Sequence, residues 1–226
     1  MPMDTVKVAA AQLLTGEDVE ANAEGALALL ERAAEDGAKL VAFPEGCLFG
    51  YTCRTDYWDA MDPARLAAAE GRIAEECRRL GVAVVIGSAQ RVDGNWYNDL
   101  AIFDETGALK YRYAKTFLAG EPWCLNNRGR LPIVRLAGVD CCFIICHDVR
   151  YPELVRLPAA AGGSVVHLLL LRVRADGGIQ AVGVSRDAHL AGDGERHLPP
   201  DGEHPGEPGR PPLARLVARE LEGRAS

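Results

Sequence analysis

Aromatic residues are scarce in this chain and stop early. The three Trp, six Tyr and five Phe all lie at or before Tyr151, so nothing after that point can build an aromatic core or a stacking surface. The formal net charge is -7, and the chain has no basic run and no interleaving of basic with aromatic residues, which argues against nucleic acid as its partner. Residues 1–10 show no charged-then-apolar secretory leader, and no apolar stretch nears the roughly 18 residues of a membrane helix. Neither a disulfide framework nor a metal set is evident. The seven cysteines are odd in number and lack paired spacing, which fits a reducing compartment. Cys142, Cys146 and His147 have no second cluster to complete a zinc site. These absences together predict a cytoplasmic protein with no membrane and no nucleic-acid partner.

What is present is an ordinary globular composition, 48% apolar and 25% charged, in an alternation of strand-like and helix-like segments up to residue 171. An apolar strand is expected over 6–13. Val19, Ala23, Leu27, Leu30 and Ala34 then mark a helix over 19–36 that Gly37 ends. Strands follow at 40–43 and 82–89, with a helix between them that opens on Asp62 and Pro63 and stops at Gly81. Segments 96–103 and 109–113 flank Asp104-Glu105-Thr106-Gly107 as a hairpin, and 133–136 with 139–145 repeat that pattern around Ala137-Gly138. A further strand is expected at 165–171.

Beyond residue 171 the chain changes. Half of the positions from 191 to 212 are Gly or Pro, which predicts disorder, and 172–226 lacks Lys, Asn and aromatics altogether. Its composition is similar to that of a GC-rich gene translated out of frame. Leu213, Leu216, Val217 and Leu221 have the spacing of a short terminal helix, with a frayed tail as the competing reading. The organisation expected is one domain over 1–171 and an atypical tail over 172–226.

Three residues stand at the edges of apolar segments. Cys146 closes the run 141–145 and precedes His147 and the turn to Pro152, where a helix begins, so it occupies a tight strand-to-helix elbow that would present a thiol. Cys141 and Cys142, inside the run, read as small buried hydrophobes. Glu45 follows a buried strand, and desolvation there raises a carboxyl toward the range of a general base. Lys115 follows 110–114, and an ammonium near a cysteine favours thiolate and can meet an oxyanion. Read singly, Glu45 is equally a strand-end surface charge and Lys115 a solvated lysine.

Read together, the segments Phe43-Pro44-Glu45-Gly46, Tyr113-Ala114-Lys115-Thr116-Phe117-Leu118 and Cys146-His147-Asp148-Val149-Arg150-Tyr151-Pro152-Glu153 closely resemble the three motifs of the nitrilase superfamily of carbon–nitrogen hydrolases, in order and in spacing. Val8-Ala9-Ala10-Ala11-Gln12, Tyr97-Asn98 and Gly120-Glu121 are similar as well, so the resemblance covers about 7–166. It implies an α/β fold, the α-β-β-α sandwich of that family, here incomplete after about residue 171. It implies Glu45 as general base, Lys115 as electrostatic stabiliser, Cys146 as nucleophile and Glu121 as a supporting second glutamate, with the His147 backbone N–H helping to hold the oxyanion. Arg150 and Glu153 are expected to stabilise the elbow by ion pairing and hydrogen bonds. The implied activity is hydrolysis of a small amide, N-carbamoyl compound or nitrile by way of a thioester, with water as co-substrate, no metal or organic cofactor, and homo-oligomers as the family habit. Tyr51, Trp58 and Trp123 are candidates for lining the pocket. The alternative is an inactive remnant that serves as an interaction module.

Overall fold

The computed structural model describes residues 5–127, 130–162, 169–170 and 215–222. Its framework is a sheet formed by β1 (Thr5–Gln12), β2 (Leu40–Ala42), β3 (Ala83–Val92), β4 (Asn95–Phe103), β5 (Leu109–Ala114) and β10 (Arg215–Glu222), in the order β10-β1-β2-β3-β4-β5. β1, β2 and β3 run parallel, as strands joined by helical crossovers must, with Val8 opposite Leu40 and Leu40 opposite Ala83. The crossovers are α1 (Val19–Glu35), and then α2 (Thr55–Ala60) with α3 (Pro63–Leu80). β3, β4 and β5 continue as an antiparallel meander.

Local chemistry fixes the helix ends where the sequence marks them. Asp18 accepts hydrogen bonds from the Glu20 and Ala21 N–H groups at the start of α1, and Asp62 accepts from Ala64 at the start of α3. Gly81 ends α3 at φ +64, a left-handed conformation that costs glycine nothing. The short helix α2 has no counterpart among the expected segments.

β2 and most of β3 are buried on both faces, which is why they read as unbroken apolar runs instead of alternating ones. On one face Ala9, Ala11, Val41, Val84 and Ile86 pack with Ala23, Leu30, Leu66 and Ile73 of α1 and α3. On the other, Val8, Leu40, Ala42, Val85, Leu100, Ile102 and Tyr113 pack with Val134, Leu136, Val139, Cys141, Phe143 and Ile145. That covering layer consists of the hairpin β6 (Val134–Leu136) and β7 (Val139–Cys141), together with β8 (Ile144–Ile145), which pairs parallel with β9 (Leu169–Leu170). α4 (Glu153–Ala160) lies outside it, with Leu154 and Val155 against Cys142 and Ile144. The layers run helix, sheet, sheet, helix, as the resemblance implies, with a second sheet much narrower than the first among the described residues.

Two expectations are corrected. The strand expected over 139–145 divides, because Cys141 pairs with Val134 whereas Ile144 pairs with Leu169, so the chain changes partner across Cys142 and Phe143. The helix expected at 213–221 is a strand: 215–222 runs antiparallel to β1 from Gln12 opposite Arg215 to Thr5 opposite Glu222. Pairing with an otherwise open sheet edge outweighs a helical spacing that nothing else supports. The disorder expected over 191–212, the out-of-frame composition and most of the strand expected at 165–171 lie outside the described residues. Among those described, no helix is long and apolar enough to cross a membrane.

One glycine governs how the sheet meets the loop after β2. A Cβ on Gly87 of β3 would come within 2.2 Å of the Pro44 carbonyl oxygen and 2.5 Å of the Gly46 nitrogen. The bare strand lets residues 44–46 cross β3 in contact with it, and the Leu48 N–H donates to the Gly87 carbonyl at 3.0 Å. Gly71, exposed on α3, has nothing within 4 Å of its virtual Cβ. Gly87→Ala is therefore expected to destabilise the fold by about 1–3 kcal/mol, an overpacking cost. Gly71→Ala is expected to stabilise it by about 0.5–1 kcal/mol. Urea unfolding of the two variants checks both signs.

Candidate active site

The crossing at Gly87 carries Glu45 to the end of the sheet, where β4 and β5 supply its partners. Glu45 is 4% exposed, and its Oε1 accepts from the Lys115 Nζ at 2.7 Å and from the Asn98 Nδ2 at 2.8 Å. Asn98 sits on β4, and its backbone carbonyl accepts from the Lys115 N–H at 2.8 Å, so one residue aligns both Glu45 and Lys115. Lys115, just past β5, is fully buried, and its ammonium also donates to Glu121 Oε1. Glu121 is held in turn: its Oε1 accepts from the Tyr51 hydroxyl at 3.0 Å and its Oε2 from the Ala119 N–H at 2.6 Å. The other oxygen of Glu45, Oε2, is buried with no hydrogen-bond partner.

Burial raises the Glu45 carboxyl above the usual carboxylate range, against the pull of Lys115 and Asn98. For Lys115, burial alone would favour the neutral amine, but Glu45 and Glu121 outweigh it and hold the ammonium well above the normal lysine range. Burial also acts to raise Glu121, yet the hydrogen bond and charge of Lys115 keep its carboxyl below the ordinary value. Two carboxylates flanking one ammonium thus differ in basicity, with Glu45 the readier to accept a proton.

Cys146 stands on the elbow between β8 and a short 3₁₀ turn, Cys146–Arg150, at φ +43. A non-glycine residue in the left-handed region is costly, on the order of 1–3 kcal/mol, and persists only where its surroundings impose it. The thiol is half-buried. Burial and the negative charge of Glu45 push it up to about 12, and Lys115 opposes them without prevailing. Lys115 pulls the thiol toward thiolate, the direction expected of it, but burial and Glu45 outweigh that pull. The resting residue is a thiol beside a raised carboxylate.

What holds the elbow also differs from expectation. Arg150 and Glu153 are exposed, and among the described residues neither has an ion-pair or hydrogen-bond partner, so their stabilising role is not seen. The fully buried Asp148 takes that place. Its carboxylate accepts from the Ile145 N–H at 3.1 Å, the Phe117 N–H at 2.8 Å and the Tyr113 hydroxyl at 2.9 Å, which ties the elbow to the segment carrying Lys115. The Phe117 and Tyr151 rings stack at 3.6 Å across the same junction, with the His147 ring edge-on to Tyr151 at 5.8 Å. An acid two residues past a cysteine elbow gives no sequence signal of burial, so Asp148 could be found only from the fold.

Trp58 and Trp123 stack on each other at 3.7 Å within a cluster that includes Phe49 and Trp96. They line a cavity of about 270 Å³ together with Thr55, Asp59, Arg91 and Trp96. Of the three candidates for lining the pocket, Tyr51 alone bonds to the glutamate–lysine cluster. Among the described residues, no group of three or more His, Cys, Asp or Glu side chains is arranged to hold a metal ion.

The contrast between Asp148 and Arg150 is measurable. Asp148→Ala removes the acceptor of the Ile145, Thr116 and Phe117 N–H groups and the Tyr113 hydroxyl and is expected to cost about 3 kcal/mol or more, whereas Arg150→Ala, at an exposed position, should stay within about 0.5 kcal/mol. Chemical denaturation of the two variants tests the assignment.

Known proteins carry the same arrangement of segments. A profile of the carbon–nitrogen hydrolase family matches residues 7–187, past the 171 at which the family-like part was expected to end. A protein described as the hydrolase in the pqqF 5' region of Pseudomonas protegens is 32% identical over 133 residues, 57% of this chain and 47% of that protein. The chloroplastic omega-amidase of Arabidopsis thaliana is 29% identical over 182 residues, 74% of this chain and 48% of that one. The chain thus spans about half the length of these curated relatives. The solved structure of an amidase from Nesterenkonia sp. AN1 is similar at a TM-score of 0.66 and 26% identity, over 72% of this chain and 66% of that one. Other structures of that amidase hold butyramide in a cysteine-to-alanine variant, or carry acrylamide added to the active-site cysteine. With a family match over most of its length, the chain belongs to the carbon–nitrogen hydrolases.

Proposed function

We propose that the protein hydrolyses the C–N bond of a small amide or N-carbamoyl compound, or the corresponding nitrile, through a thioester on Cys146. The observation that carries this reading is the buried cluster of Glu45, Lys115 and Glu121 set against a strained cysteine elbow. An amide carbonyl is a poor electrophile, so attack needs a deprotonated sulfur and a cation for the oxygen at the same moment. As the Cys146 Sγ bonds to the carbonyl carbon, its proton passes to Glu45, whose Oε2 is unoccupied by any other donor. The oxygen gains the electron pair and is met by the Lys115 ammonium and the His147 N–H. An ammonium has three donors, and Lys115 spends two on carboxylates, which leaves one for this oxygen. When the tetrahedral species collapses, the C–N bond breaks and Glu45 returns the proton to the departing ammonia or amine. Glu45 then takes a proton from water, whose oxygen adds to the thioester carbon, and collapse releases the carboxylic acid as that proton goes back to sulfur.

The amides in the related amidase favour a small, uncharged substrate end. The seven cysteines, odd in number and without paired spacing, support the cytoplasm as the working compartment.

Ammonia release from a panel of small amides is the direct test: it should fall to background in Cys146→Ala. No release by a folded, monodisperse wild-type sample would favour the reading as a catalytically silent interaction module. Glu45→Gln separates base from electrostatics, because removing a negative charge alone would lower the thiol pKa and speed alkylation. Loss of the base should instead slow iodoacetamide alkylation of Cys146 by about tenfold or more at neutral pH, read by intact mass.

A further inference from the structure

We propose that Tyr51 is a positioning residue for this site: its hydroxyl locks Glu121 so that Glu121 fixes where Lys115 presents its remaining proton. The inference rests on the hydrolase reading and adds a member to the site. The Tyr51 hydroxyl donates to Glu121 Oε1, the same oxygen that accepts from the Lys115 ammonium. With the Ala119 N–H on Oε2, both oxygens of the Glu121 carboxylate are held by donors. The Lys115 Nζ also lies 5.9 Å from the centre of the Tyr51 ring, so the ring flanks the ammonium while the hydroxyl holds its partner.

The backbone supports a site-specific purpose. Tyr51 has φ +50, a conformation a bulky side chain avoids, and it packs so closely that a Cβ on Gly46 would lie 2.8 Å from the Tyr51 Cβ. Gly46 follows Glu45, so the loop that delivers the base also delivers this phenol, and a strained residue at such a place is held for its side chain. Burial, with Glu45 and Glu121 nearby, drives the phenol far above the normal tyrosine range, so it remains a donor at any working pH. The charged and titratable groups facing Glu121 are Lys115, Glu45, Cys146, Cys124 and Tyr51 itself.

A hydrogen bond to a carboxylate favours its ionised form, so removal of the hydroxyl lets Glu121 keep its proton to higher pH. The test is the pH profile of Cys146 alkylation by iodoacetamide, itself a small amide, followed by intact mass. In Tyr51→Phe the acidic limb should move up by about half a pH unit or more and the plateau rate should fall about fivefold. Tyr57→Phe, which deletes a buried hydroxyl outside the site, should leave the profile unchanged. In a Glu121→Gln background, Tyr51→Phe should add no further shift. A Tyr51→Phe profile that superimposes on the wild type overturns the proposal, as does an equal shift with and without Glu121. Should Tyr51→Phe fold poorly, 3-fluorotyrosine, a stronger donor of nearly the same shape, keeps the question open to measurement. It should move the acidic limb to lower pH, and an unmoved limb overturns the proposal. A wild-type protein that alkylates normally yet hydrolyses no amide fails the hydrolase reading alone, since the alkylation profile needs no turnover.

Discussion

The whole site depends on one buried cation. Lys115 sits in the interior with no exposed surface, where an unpaired ammonium would shed its proton or unfold the protein, and two carboxylates keep it charged. Each carboxylate is then tied in turn: Glu45 by Asn98, Glu121 by Tyr51 and the Ala119 N–H. Removing Lys115 would leave two buried carboxylates without their cation. Such an arrangement contributes little net stability compared with an apolar core of equal volume, because desolvation offsets the attraction. Its value is positional, since it sets charge near the elbow before a substrate arrives.

The elbow is the second half of the arrangement and is held by different means. Its backbone strain at Cys146 is opposed by the four donors that converge on Asp148 and by the Phe117–Tyr151 stack. Asp148 therefore links the segment that carries Lys115 to the one that carries Cys146. It bonds to Tyr113 and Phe117, which flank Lys115, and to Ile145, which precedes Cys146. One side chain thereby ties the Cys146 elbow to the segment that carries the Lys115 ammonium.

The sequence made legible what local patterns determine. Asp18, Asp62 and Gly81 announce helix ends because capping is a local interaction, and the apolar runs at β1 to β3 announce strands buried on both faces. Glu45, Lys115, Glu121 and Cys146 stood out by motif, and the fold collects the first three into one hydrogen-bonded cluster with Cys146 within their electrostatic reach. Asp148 was invisible, because only tertiary structure reveals that an acid beside a cysteine is fully buried. The protonated thiol was invisible for a similar reason: desolvation depends on depth, which no spacing encodes. Residues 215–222 misled, since their helical spacing competes with a sheet edge supplied by the opposite end of the chain.

That last pairing bears on the order of assembly. Thr5 meets Glu222 across almost the full chain, whereas β3, β4 and β5 close through tight turns between neighbours. Closing so long a loop is slow, and the meander can form without it. The strands that carry Asn98 and Lys115 lie at the far side of the sheet from β10. Asn98 on β4 and Lys115 just past β5 thus belong to the early-forming half of the molecule, and residues 215–222 act as a late seal on the opposite edge.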